Sequence, residues 1–151
     1  MKKYLLLILA PAFIAGCAQT TPYENTASTT SAEVTVLNDG HTAENALDWI
    51  GVYEGVFPCA DCEGINTRLT LKWDHTYILE ESYIKNGAVA HSGKREGRFS
   101  FDSTYPSLIR LDMNANQRVF FVGENYVQQR DQQTGESLSA DLPYTLYQIS
   151  N

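Results

Sequence analysis

Three observations predict an all-β fold. Aromatic and β-branched residues come in short runs, Gly, Asn, Asp and Pro break those runs at close intervals, and no long stretch carries a helical period. The expected architecture is a small antiparallel β-barrel of about eight strands, set behind a removable leader and a flexible linker.

Each strand has its own signal. Residues 49–57, from Trp49 to Phe57, read as the first. Residues 65–73 alternate, with Leu69, Leu71 and Trp73 on one face and Thr70 and Lys72 on the other, the mark of a half-buried strand. Asp74-His75 turns the chain into a third strand, 76–84. Asn86-Gly87 supplies the positive φ values that a tight hairpin requires. A fourth strand, 95–101, puts Phe99 and Phe101 on one side, and Tyr105-Pro106 separates it from a fifth, 107–112. Residues 118–122, 126–130 and 144–149 complete the set. Strands joined by successive hairpins close most simply into a barrel, which removes exposed sheet edges, so a lipocalin-like barrel is favoured over an open sandwich.

The N-terminus has the three-part layout of an export signal: Lys2 and Lys3, an apolar run from Tyr4 to Ile14, then the small residues Ala15 and Gly16. The run is too short to span a bilayer as a helix. Cys17 follows directly, and Ile14-Ala15-Gly16-Cys17 resembles the bacterial lipobox, in which the cysteine is lipidated after cleavage. Two or more acyl chains anchor a protein durably. Residues 1–16 are therefore expected to be the signal peptide and Cys17 the lipidated residue. Ala18 stands where an aspartate would direct retention in the inner membrane, so the expected address is the outer membrane, with the domain facing the periplasm of a Gram-negative cell.

Residues 17–46 are rich in Thr, Ser, Ala and Asn and lack apolar periodicity, the composition of a flexible linker. Within it, Val34-Thr35-Val36-Leu37 is a candidate extra strand. As a coil, a linker of about thirty residues spans roughly 30 Å. Residues 47–151 are enough for one modest core. Loss of Lys2 and Lys3 takes the formal charge from −7 to −9. That acidity, without a basic cluster, argues against nucleic acid and leaves membrane attachment to the lipid.

The chemistry centres on Phe57-Pro58-Cys59-Ala60-Asp61-Cys62-Glu63-Gly64. With Cys17 consumed by lipid, Cys59 and Cys62 are left to each other. In an oxidising envelope their default state is a disulfide. So short a loop yields little entropic stabilisation, which makes stapling alone a poor reason for the bond. A thioredoxin-type site needs a helix N-terminus or a nearby cation to acidify one thiol, whereas Asp61 and Glu63 act the other way. Reduced, the pair is a soft dithiolate suited to Cu(I). Disulfide and metal site remain alternative states. His75, His91 and Met113 lie on other predicted elements and read as turn or surface residues.

Around this motif the chain resembles the N-terminal domain of the NlpE family. The likeness rests on Gly51-Val52-Tyr53 leading into Pro58-Cys59-Ala60-Asp61-Cys62-Glu63-Gly64-Ile65. It continues through Leu69-Thr70-Leu71, the Tyr77 strand, Gly97 to Phe101 and Tyr144-Thr145-Leu146. The resemblance implies a lipocalin-like barrel on the outer membrane. It also implies a role in copper tolerance and in signalling surface contact or sorting faults to an envelope-stress sensor kinase. Cys59 and Cys62 match the family's cysteine pair, and Cys17 its acylated cysteine. Two-domain members carry a second, OB-like domain with further cysteines; this chain is read as holding the first domain, so the second domain's redox sensing is not carried over.

Against this stands a carrier reading, in which Tyr53, Tyr77, Phe99, Phe101 and Phe121 line a pocket for an apolar ligand instead of filling the barrel. Enzymatic function is not expected, since no G-x-S-x-G, H-E-x-x-H or phosphate-binding glycine loop is present.

Overall fold

A computed structural model describes residues 42–149. Cys17, the leader, most of the linker and the segment Val34 to Leu37 lie outside the described residues. Eight strands form one closed barrel in which each strand pairs with its sequence neighbours and the last returns to the first. They are β1 Gly51–Phe57, β2 Gly64–Leu71, β3 Thr76–Lys85, β4 Ala88–Phe101, β5 Leu108–Leu111, β6 Val119–Gly123, β7 Tyr126–Arg130 and β8 Thr145–Ile149. All pairings are antiparallel.

Strand parity sets the core. Tyr53, Leu69, Leu71, Tyr77, Leu79, Ile109, Phe120, Val122, Val127 and Leu146 are fully buried. Tyr53 and Tyr77 thus fill the interior as large side chains with polar tips. Tyr53 donates to the carbonyl of Trp49 at 2.8 Å, and burial, helped by the charge of Asp48, pushes its pKa up to about 12. Tyr77 donates to Asp112 Oδ1 at 2.8 Å. Each hydroxyl therefore meets the rule that a buried polar group needs a partner.

One end of the barrel is closed by aromatics. Trp49 packs against Phe99 and Phe101 with ring centres 5.6 and 5.5 Å apart, and His75 lies 5.6 Å from Trp49. The Trp49 indole donates to the carbonyl of Glu44 at 2.9 Å, and Glu44 reaches His75 Nε2 at 3.2 Å. This holds a single helical turn, α1 Ala43–Ala46, against the barrel. The turn falls within residues 17–46, the span assigned to the linker.

Several expectations are corrected. β2 stops at Leu71, and Trp73 is 78% exposed. Asp74 Oδ1 accepts from the backbone and hydroxyl of Thr76, closing a turn that carries Trp73 off the sheet face. β4 begins at Ala88, not Arg95, because the Asn86-Gly87 hairpin, with φ of 54° and 70°, continues the pairing with β3 beyond the core. Ala88 to Gly93 shows little apolar alternation, which is why composition conceals it. In β6 the inward residues are Phe120 and Val122. Phe121 has the opposite parity and faces outward, where it meets Tyr126 and Arg130.

Candidate functional site

The cysteine loop joins β1 to β2 at the end opposite Trp49. Its base is fixed by Phe57 pairing with Ile65 and by the Phe57 ring packing 5.8 Å from that of Tyr144. Cys59 and Cys62 stand with sulfurs 2.13 Å apart, at disulfide distance, and Cα atoms 5.3 Å apart. Both are half-buried, whereas Ala60 and Asp61 at the loop tip are exposed. Pro58 enters the loop beside Cys59. Gly64 leaves it buried, where a Cβ would lie 2.6 Å from Val56 Cγ1, so no larger residue fits without displacement.

Glu63 fastens the loop to the barrel. Its backbone N–H donates to the carbonyl of Ile84 at 2.8 Å. Its two carboxylate oxygens accept from the N–H of Gly87, each at 3.2 Å. The cysteine pair and the β3–β4 turn therefore form one unit. Cys62 Sγ lies 3.4 Å from the carbonyl oxygen of Gly64, an acceptor at hand for the thiol hydrogen of the reduced form.

The arrangement supports two chemistries. It can pass reversibly between disulfide and dithiol. Reduction would leave two thiols on one short loop, with Cα atoms 5.3 Å apart in the disulfide form, a soft donor pair of the kind that takes a monovalent ion. Among the described residues no three His, Cys, Asp or Glu side chains converge on a metal position. Nor does the structure bring the other candidate ligands to the pair. His75 belongs to the aromatic plug at the far end, His91 stacks on Tyr83 at 5.8 Å, and Met113 is 71% exposed in a 3-10 turn.

Sequence reasoning missed a charged cluster inside the barrel. Glu81 is 3% exposed and receives Arg95 Nη1, Arg118 Nη1 at 2.6 Å and Arg118 Nη2 at 3.2 Å. Parity held the signal: Tyr77 and Leu79 face inward, so Glu81 two residues further must as well. A carboxylate so placed demands cations.

A closed eight-stranded antiparallel barrel, with an aromatic plug at one end and a cysteine pair on a loop at the other, defines a small all-β barrel domain. The model of the NlpE N-terminal domain matches residues 53–140, more than half of the chain, and the chain belongs to the NlpE family. It is 31% identical over 121 residues to Lipoprotein NlpE of Escherichia coli strain K12, covering 76% of this chain and 47% of that protein. Among solved structures it resembles a chain from Shewanella oneidensis designated a lipoprotein, at 39% identity and TM-score 0.62, covering 71% of this chain and 94% of that one. It also resembles the Cpx pathway activator NlpE from Escherichia coli, at 25% identity and TM-score 0.50, covering 67% and 52% respectively. The chain thus spans about half the length of the curated relative it matches.

Proposed function

We propose that this chain is an outer-membrane lipoprotein, anchored through Cys17, whose Cys59/Cys62 loop serves copper tolerance, envelope-stress signalling or both. One observation carries the reading: the loop is fixed through Glu63 to the turn of the β3–β4 hairpin, at the end of the barrel away from α1. A change in the state of the sulfurs therefore reaches a protruding hairpin instead of dissipating in a loose loop. Reduced, the pair takes up Cu(I) through two thiolates; oxidised, it has none to offer. The relative described as a Cpx pathway activator supports a signalling role, and the partner proposed is a periplasmic sensor kinase or another envelope protein. Binding and signalling explain the site better than catalysis, because the charged residues of the loop itself, Asp61 and Glu63, are acids, which disfavour the reactive thiolate that thiol catalysis needs. The packed interior also favours this reading over the carrier, since Tyr53, Leu79 and Phe120 occupy the space an apolar ligand would need.

The test is made in cells. A strain carrying the C59S/C62S chain at the parent's level should lose copper tolerance, or stress-reporter induction, relative to the parent strain. Unchanged tolerance together with unchanged reporter output overturns the proposal.

A further inference from the structure

The arginines of the described residues are satisfied, with one exception. Arg68 pairs with Glu54, Arg95 and Arg118 share Glu81, Arg98 donates to the carbonyl of Asp74, and Arg110 donates to those of Gln117 and Gln132. Arg130, the last residue of β7, has no acceptor among the described residues. Its guanidinium carbon lies 5.0 Å from the centre of the Phe121 ring. Its Nε is buried without a hydrogen-bond partner. Glu136 stands at the same place, yet the two form no ion pair.

Arg130 and Phe121 face outward from β7 and β6 and form the floor of a cavity of about 470 Å³. Tyr105 and Pro106 wall it from the β4–β5 loop, Leu108 from the start of β5, and Gly135 closes it from the β7–β8 loop. Both loops are held in shape. Asp102 Oδ1 accepts from the N–H groups of Thr104 and Tyr105 at 2.8 and 3.0 Å, and Asp131 Oδ1 accepts from those of Gln133 and Thr134, each at 2.9 Å. The cavity is therefore preformed, and its volume is within the range of small-ligand sites.

We infer that this cavity binds a carboxylate carried on an apolar group. The planar fork of a guanidinium matches a carboxylate in two parallel hydrogen bonds, and its seat over the Phe121 ring limits where the fork can lie. The apolar body of the ligand lies against Tyr105, Leu108 and the Phe121 ring. A monoanion fits and a phosphate does not, because one cation beside Glu136 leaves a second negative charge unmatched. Such a carboxylate comes either from a free apolar acid or from the C-terminus of a polypeptide ending in an apolar residue. The site is separate from the cysteine loop, so its failure leaves the proposed function untouched.

The experiment is a nuclear magnetic resonance titration of the full chain with N-acetyl-phenylalanine, its amide, and a short peptide ending in Phe with free or amidated C-terminus. Saturable shifts are expected at Tyr105, Phe121 and Gly135. The acids should bind roughly tenfold tighter than the amides, as a charge-assisted pair requires. R130Q should erase that preference at unchanged melting temperature, R130K should keep part of it, and E136Q should strengthen it. A peptide that binds more tightly than the small acid identifies a polypeptide C-terminus as the source, and the reverse order identifies a free acid. Equal binding of acid and amide, no saturable binding, or an undiminished preference in R130Q overturns the inference.

Discussion

The Glu63 carboxylate and the Gly87 N–H are hydrogen-bonded across 24 residues of sequence, at 3.2 Å to each oxygen. Together with the bond from Glu63 N–H to Ile84 O, they make the cysteine loop and the hairpin turn a single structural unit. Replacing Glu63 by Gln keeps the size but weakens an acceptor that is charged in the parent. The Gly87 amide should then exchange with solvent several-fold faster in E63Q while core amides such as that of Leu79 do not change. Equal exchange at Gly87 in both chains would show that the turn does not depend on the loop.

Glu81 is the sole buried acid among the described residues, with Arg95 and Arg118 on it. Removing the carboxylate leaves two guanidinium groups facing each other without a counter-charge. E81A should lose about 3–5 kcal/mol of stability, the cost of breaking a buried ion pair from one side. Urea unfolding followed by tryptophan fluorescence measures it, and a loss under about 1 kcal/mol would mean that water solvates the cluster.

The two tryptophans should behave oppositely. Trp49 is 6% exposed within the aromatic plug and Trp73 is 78% exposed in a turn. W49A should cost about 3–5 kcal/mol, and W73A should stay within about 0.5 kcal/mol of the parent. Denaturant midpoints of the two variants decide this directly.

That contrast also marks how far the sequence could be read. Alternation located the inward face of β2, and Asn86-Gly87 located the turn between β3 and β4, because a half-buried strand writes its two environments into its own residues and a tight hairpin needs residues that accept positive φ. Trp73 misled because it continues the alternation of Leu69 and Leu71; only the side-chain bonds of Asp74 to Thr76 show that the strand has already ended. The first half of β4 was illegible for the opposite reason, since it lies beyond the core and pairs through its backbone alone. For the site, Cys59 and Cys62 were plain from spacing, but the grip of Glu63 on Gly87 depends on register between distant strands. Phe121 reads as an interior aromatic, but in β6 it faces outward with Arg130 of β7 over its ring, a contact that depends on how the two strands pair.

Acid should destabilise the fold in a defined window. The Arg98 N–H, followed by the Tyr77 hydroxyl and the Asn114 N–H, holds the Asp112 carboxyl below its ordinary range. Backbone N–H groups do the same for Asp102 and Asp131. A carboxyl with a lower pKa folded than unfolded contributes stability that is present above the unfolded value and lost as pH falls through the folded one. Urea midpoints should therefore hold from neutral pH to about pH 5 and fall below about pH 4. D112N should flatten that fall, and an unchanged slope would assign the acid loss to other groups.

Copper binding by the reduced chain tests the central claim most directly. Titration with Cu(I) in competition with a chromophoric chelator should show one ion held per parent chain, and none by C59S/C62S under the same conditions. Equal binding by parent and double variant would contradict the assignment of function to this loop.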